Sequence, residues 1–259
     1  MSDDSSFLQP IAFSTCSYLK RRPGERAKMV FEAISTWKGL LNLPFAEKIF
    51  LDDRSAEFGG LRLLASTQLL DRFTRAEYCT VKHPPHSNFG IVRSLELAST
   101  PYIMHLDDDV YVSGTSDECR RLIDTAIHVM EQDPAIMGFN LLRLDPSFHG
   151  EQWLKGEPYG KQTGLFHPKK YFGTAACLIR RTLLERVTFS QLELWGESQP
   201  GVWEALVTTD PRQFITGTSE SPFYVKRTSY FFNATSEIST RVRFQYLAKS
   251  RLKRLFGKR

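Results

Sequence analysis

Two acidic clusters carry the chemistry this sequence could perform. Asp107-Asp108-Asp109 follow one apolar run, and Asp52-Asp53 follow another. Three adjacent carboxylates repel one another, so a fold tolerates them best on a solvated turn or around a cation. In extended backbone Asp107 and Asp109 point to one side and Asp108 to the other. Two oxygen ligands on one side suit Mg²⁺ or Mn²⁺, with phosphate oxygens and water completing the shell. A carboxylate at Asp52 or Asp53 can accept a charge-assisted hydrogen bond from a nucleotide base or ribose. Taken alone, the same residue serves equally well as a turn or N-cap. Arg21, Arg22 and Arg93 are cations able to offset diphosphate charge.

The elements that must position these clusters alternate. Ile11 to Thr15 reads as a short strand leading into a loop with Cys16, Tyr18 and the triplet Lys20-Arg21-Arg22. Glu25 to Leu41 reads as one amphipathic helix, with Ala27, Val30, Phe31, Ile34, Trp37 and Leu41 at spacings of three and four. A strand over Lys48 to Leu51, a helix over Leu61 to Phe73 and a strand over Tyr78 to Lys82 follow. His83 to Gly90 is a loop by composition. Ile91 to Ala98 is helical in pattern, and Tyr102 to Leu106 is an apolar strand interrupted only by His105. This alternation describes an α/β nucleotide-binding half with a mostly parallel sheet, in which ligands bind at the C-terminal ends of the strands. Both acidic clusters sit at such ends. Farther on, Glu118 to Gln132 reads as a helix, Ile136 to Leu144 as a strand, and Thr174 to Ile179 as a buried strand before a short helix at Arg181 to Val187. Asp145 to Lys170 is a long loop, and residues 190–236 have no clear pattern.

Composition narrows the class. The chain has 259 residues, 41% of them hydrophobic and 24% charged, enough for one large domain with a sizeable core. No run of 18 apolar residues is present, and Met1 to Pro10 lacks the charge and apolar core of a signal peptide. The four cysteines, at 16, 79, 119 and 177, are widely spaced and argue for a reducing, cytoplasmic setting. Residues 240–259 hold eight of the 34 Lys and Arg and none of the 29 Asp and Glu. The body, 1–239, is therefore net −3, with 26 basic against 29 acidic side chains. A folded domain of that charge argues against a nucleic-acid partner.

The motif order resembles a GT-A glycosyltransferase, most like the inverting family 2 type. The segments that carry the resemblance are IAFSTCSYLKR, KIFLDDRS and NFGIVRSLELASTPYIMHLDDDV. They contain Asp52-Asp53-Arg54-Ser55, then Asn88-Phe-Gly90-x-x-Arg93, then the Asp-x-Asp motif at Asp107 to Asp109. The last of these, with Val-Tyr-Val after it, is also similar to the fringe-like β-1,3-glycosyltransferases. The resemblance covers residues 10–112 well and 170–205 loosely. It implies a Rossmann-like GT-A domain over 10–239, with a nucleotide-sugar half (10–112) and an acceptor half (113–239), after a disordered 1–9. It further implies that Thr15, Cys16, Tyr18, Arg22, Asp52, Asp53, Asn88 and Arg93 hold the nucleotide. Asp107 and Asp108 would lie near the ribose and donor sugar, with Asp107 and Asp109 on a Mn²⁺ or Mg²⁺ ion. The implied reaction moves a hexosyl or N-acetylhexosaminyl group from a nucleotide-sugar, UDP foremost, to a glycan or lipid-linked hydroxyl.

An inverting transfer needs a carboxylate base for the acceptor proton. Glu197, in Leu-Trp-Gly-Glu-Ser, stands where the family carries an acidic pair, although Ser198 replaces the second acid. Glu204 is its rival and Asp210 a third candidate. His149 and His167 are candidate additional metal ligands, and Trp153, Tyr159 and Phe166 could stack on a sugar. Residues 240–259 form a basic amphipathic helix in projection, with Phe244, Leu247, Ala248, Leu252, Leu255 and Phe256 on one face. Such a helix suits an anionic membrane surface, peripheral to the inner leaflet. The alternatives are a non-catalytic sugar-nucleotide or polyanion-binding protein on the same fold, and a nucleotidyltransferase.

Overall fold

The computed structural model describes residues 6–19, 24–80, 89–143, 156–160, 164–168, 175–186, 210–216 and 220–226. Met1–Tyr224 forms one compact unit; Val225–Arg259 forms a second, of which only Val225 and Lys226 are described. Among the described residues no helix is long and apolar enough to cross a membrane.

The first unit is built on a mixed seven-stranded sheet. Its strands are β1 (Ile11–Ser17), β2 (Glu47–Asp52), β3 (Arg75–Tyr78), β4 (Tyr102–Leu106), β6 (Gly138–Asn140), β7 (Ala176–Arg180) and β8 (Phe214–Ile215). Their order is β3-β2-β1-β4-β7-β6-β8. The first four are mutually parallel, and β7 alone runs antiparallel to both its neighbours, β4 and β6. A separate two-stranded sheet pairs β5 (Val110–Val112) with β9 (Phe223–Val225). The helices are α1 (Gly24–Ser35), α2 (Lys38–Leu41), α3 (Gly59–Ser66), α4 (Phe89–Glu96) and α5 (Ser116–Gln132). The arrangement is the α/β, mostly parallel sheet flanked by helices that the alternation predicts.

Burial explains why the sheet holds together. Alternate residues of β1 face opposite layers. Ala12, with Ile49 of β2 and Ile103 of β4, packs against Ile91 and Leu95 of α4. Phe13, on the other face, meets Trp37, Phe45 and Phe73 in an aromatic cluster with ring centroids 5.5–6.0 Å apart. Helix α5 starts with a capping box in which Thr115 and Glu118 satisfy each other's backbone N–H groups.

Several boundaries differ from the pattern. The helix expected over Glu25 to Leu41 is two helices, because Thr36 and Trp37 bond back only three residues, to Ala33 and Ile34 carbonyls at 2.9 Å. The break is productive. It sends the buried Trp37 indole to donate from Nε1 to the Val110 carbonyl at 2.8 Å, while Thr36 Oγ1 accepts from Val112 N–H at 2.9 Å. Two hydrogen bonds thus tie α1's end to the strand just after the aspartate triplet. The helix expected over Leu61 to Phe73 stops at Ser66, where Gln68 takes a left-handed φ of 60°, and resumes as a 3₁₀ turn over Leu70–Arg72. The strand expected at Tyr78 to Lys82 lies earlier, at Arg75–Tyr78. Parallel pairing of Ile49 with Arg75 sets its register, and as an edge strand it shows little apolar pattern.

Candidate functional site

The C-terminal ends of β1, β2 and β4 converge, and the two acidic clusters converge with them. Asp107 to Asp109 are not extended, as the alternating side-chain reading required. They form a turn closed by Val110 N–H donating to the Asp107 carbonyl at 3.1 Å, and Asp107 N–H is fixed on the Ala175 carbonyl at 2.7 Å. The turn sorts the three carboxylates differently. Asp108, 4% exposed in its side chain, accepts from Ser17 Oγ at 2.7 Å and from Arg26 Nη2 at 2.9 Å. Asp109, 7% exposed, lies 4.0 Å from Arg26 Nη1. Asp107, at 13%, meets His105 Nε2 at 3.0 Å. A carboxylate accepts only, so the imidazole proton sits on Nε2 and the buried Nδ1 is left without a hydrogen-bond partner.

The two aspartates after β2 divide their work. Asp52 is fully buried, and its oxygens accept from Ser55 N–H at 2.8 Å and Leu61 N–H at 2.9 Å. It fastens a tight turn to the first turn of α3, in which Arg54, Glu57 and Phe58 adopt left-handed φ values of 55–59°. Such conformations cost roughly 1–3 kcal/mol each and need a fixed anchor. Asp52 therefore carries an architectural task. Asp53 lies 3.7 Å from the Arg54 guanidinium. A Cβ placed on Gly90, at the start of α4, would fall 2.6 Å from Asp53 Oδ2 and 2.8 Å from Cys16 Sγ. Glycine is therefore required for α4 to close over Asp53 and Cys16.

Cys16 marks the centre of the convergence. Burial pushes its thiol well above its ordinary range, and Asp53, Asp108, Asp107 and Asp52 push it further in that order. All four carboxylates therefore act on a single thiol at the end of β1. The arrangement concentrates negative potential where three parallel strands end, as a site for a cation and its anionic ligand would.

The other expected site residues fall variously. Thr15 is fully buried, paired in the sheet with Phe50, and its hydroxyl has no hydrogen-bond partner; the strand runs two residues past the expected end and encloses it. Tyr18 is half-buried, and its carbonyl accepts from Arg26 Nε at 3.4 Å. Arg93 is exposed on α4 and pairs with Glu96 at 3.1 Å, one turn along the same helix. Asp210 caps a 3₁₀ turn through Arg212 N–H and Gln213 Nε2. His167 Nδ1 bonds the Phe214 carbonyl at 3.0 Å, and its ring packs edge-on against Tyr159. Phe166 pairs through its backbone with Thr216. Arg21, Arg22, Asn88, His149, Trp153, Glu197, Glu204 and the tail 240–259 lie outside the described residues.

Sequence reasoning missed Ser17, His105 and Arg26 as parts of the site. His105 carried a signal: a lone imidazole in an apolar strand, two residues before Asp107 and so on the same face. Arg26 carried a fainter one, a cation in the first turn of a helix, where the helix dipole disfavours it.

A divalent cation on this fold would use hard oxygen donors, and the carboxylates of the acidic turn, Asp107 and Asp109 among them, are of that chemistry. Among the described residues no group of three or more His, Cys, Asp and Glu side chains is placed to hold a metal. One or two protein carboxylates completed by phosphate oxygens and water are the usual Mg²⁺ arrangement. A cation held here would therefore need a phosphorylated ligand or water to complete its shell.

No protein-family model matches the chain, and no curated protein does. Solved structures do match. Staphylococcus aureus TarS 1–349 aligns over 86% of this chain and 62% of its own, at 11% identity and a TM-score of 0.51. The same fragment in complex with UDP-GlcNAc aligns over 84% and 59%, at 10% identity and a TM-score of 0.50. The mannosyltransferase PcManGT of Pyrobaculum calidifontis, in complex with GDP-Man and Mn²⁺, aligns over 80% and 56%, at 12% identity and a TM-score of 0.49. The chain thus spans about 60% of the TarS structures it matches. The fold is that of the GT-A type glycosyltransferases.

Proposed function

We propose that the chain is a metal-dependent, inverting glycosyltransferase that takes a sugar from a nucleotide-sugar donor. The supporting observation is the gathering of Asp53, Asp107 and Asp108 around Cys16 at the ends of β1, β2 and β4, with Asp109 on the same acidic turn beside Arg26. In this reading Asp53 receives the base or ribose, and the loop after Cys16 lies along the nucleotide. Asp107 and Asp109 hold Mn²⁺ or Mg²⁺, with Asp107 aimed by His105. The bound cation supplies a Lewis acid for charge developing on the departing diphosphate. Glu197, with Glu204 as alternative, removes the acceptor hydroxyl proton on the opposite face of the sugar. The UDP-GlcNAc in the TarS complex makes a UDP-sugar the first donor to try, carrying a hexosyl or N-acetylhexosaminyl group. The acceptor is a glycan or lipid-linked hydroxyl, and residues 240–259 hold the enzyme at an anionic cytoplasmic membrane surface.

The test is the leaving group. Purified chain is incubated with Mn²⁺ and labelled UDP-, GDP- or dTDP-sugars, with and without a membrane extract as acceptor source. Release of a nucleoside diphosphate, lost in Asp107→Asn, is the expected result. Release of pyrophosphate from a nucleoside triphosphate instead would make the chain a nucleotidyltransferase.

A further inference from the structure

Two carboxylates as deeply set as Asp108 and Asp109 demand a counter-charge, because an uncompensated buried anion is strongly destabilising. Arg26 of α1 supplies it to both. Its guanidinium lies 2.9 Å from Asp108 Oδ1 and 4.0 Å from Asp109 Oδ2, and its Nε donates to the Tyr18 carbonyl at 3.4 Å. The side chain is 21% exposed, enough for its charge to reach whatever enters beside the turn. The contacts are unequal. From this arginine Asp108 receives a close hydrogen bond at 2.9 Å, whereas Asp109 lies 4.0 Å from its guanidinium. Asp109 is also a carboxylate that the proposed function gives to the metal.

We infer that Arg26 holds the place of the metal at Asp109 and makes metal binding wait for the diphosphate. This rests on the glycosyltransferase reading. A fixed guanidinium beside Asp109 repels a second cation, so the divalent ion alone binds weakly. A diphosphate brings negative charge that attracts the ion and the guanidinium together. With it present, Arg26 changes from a competitor of the metal to a further positive group beside the phosphates. Arg26 is thus a positioning residue that couples the loop after β1 to the acidic turn and sets the order of loading, nucleotide diphosphate with its metal rather than metal first.

The inference predicts effects of opposite sign, which loss of structure alone would not give. Mn²⁺ uptake is read by the electron paramagnetic resonance signal of the free ion, first with Mn²⁺ alone and then with UDP, and with GDP as a second nucleotide. Relative to wild type, Arg26→Gln should bind Mn²⁺ alone about tenfold more tightly, the scale on which a cation within a few Å biases a carboxylate. It should bind the nucleotide at saturating Mn²⁺ several-fold more weakly. Arg26→Lys, which keeps the charge, should stay within about twofold of wild type for Mn²⁺ alone. If Arg26→Gln does not fold, Asp108→Asn/Arg26→Gln compared with Asp108→Asn decides the matter, because the amide removes the uncompensated charge. Tighter Mn²⁺ binding in the double variant supports the inference; unchanged or weaker binding overturns it. Weakening of both ligands in Arg26→Gln overturns it too, and leaves the glycosyltransferase reading standing. A wild-type chain that takes up Mn²⁺ with neither nucleotide fails at the earlier step, and both proposals fall.

Discussion

The hydroxyl of Ser17, the last residue of β1, donates to Asp108 Oδ2 at 2.7 Å across 91 residues of sequence. With Arg26 on the other oxygen, it keeps the middle aspartate of the triplet turned inward. Ser17→Ala removes one of the donors from a buried charge and should cost about 1–3 kcal/mol of stability. Urea denaturation measures this; a loss below about 0.5 kcal/mol would mean that water serves Asp108 as well as Ser17 does.

His105 lies under the turn and donates from Nε2 to Asp107. A hydrogen-bonded support of this kind typically contributes 10- to 100-fold to metal affinity. His105→Phe should therefore weaken Mn²⁺ binding in the presence of nucleotide about tenfold or more, whereas His105→Gln, which retains a donor, should recover part of it. Equal affinities in the two variants would show that His105 only fills space.

Gly90→Ala should be damaging out of proportion to its size. The added methyl would fall 2.6 Å from Asp53 and 2.8 Å from Cys16, so α4 must shift away from the end of β2. Overpacking of this sort costs typically 1–3 kcal/mol. Gly39→Ala, whose Cβ would meet a serine hydroxyl at 3.2 Å, is the control. Thermal melts of both should separate them clearly, and nucleotide binding should fall only in Gly90→Ala.

Alkaline pH should weaken the fold in a way that buried thiols report. Burial, assisted by Glu118, pushes the Cys119 thiol up to about 12, and burial raises Cys16 and Cys177 as well. Below about pH 8.5 both folded and unfolded chains carry neutral thiols, and these groups add no pH dependence. Above it the unfolded chain ionises first, so stability falls with rising pH until the folded thiols ionise, near pH 12 for Cys119. Urea midpoints at pH 7.5 and 10 should fall less far apart in Cys119→Ala than in wild type. An identical spread would contradict the assignment.

How much of this was legible in the sequence depends on where each signal lies. Tyr102–Leu106 emerges as predicted because it is central, buried on both faces and bounded by Pro101 and the aspartates. Arg75–Tyr78 is an edge strand whose first two residues are exposed, so it offers no alternation to read. The break at Thr36–Trp37 is hidden because apolar spacing continues through it; only the tertiary bonds to Val110 and Val112 reveal why the helix stops. The acidic clusters and their strand ends are visible locally. Their sorting is not, since Arg26 reaches Asp108 from 82 positions away and Gly90 meets Asp53 only after the sheet has formed. Asp52 shows the same limit: adjacent identical residues meet different partners, Asp52 through the turn at Ser55 and Leu61 and Asp53 beside Gly90.

The central claim is that a nucleotide-sugar binds where β1, β2 and β4 end, and a donor-binding screen tests it most directly. Thermal shift is recorded with UDP-, GDP-, CMP- and dTDP-sugars, each with Mn²⁺, with Mg²⁺ and with chelator. Stabilisation by one nucleotide class that disappears with chelator and in Asp107→Asn is the expected result. A folded chain stabilised by none of them under any condition would contradict it.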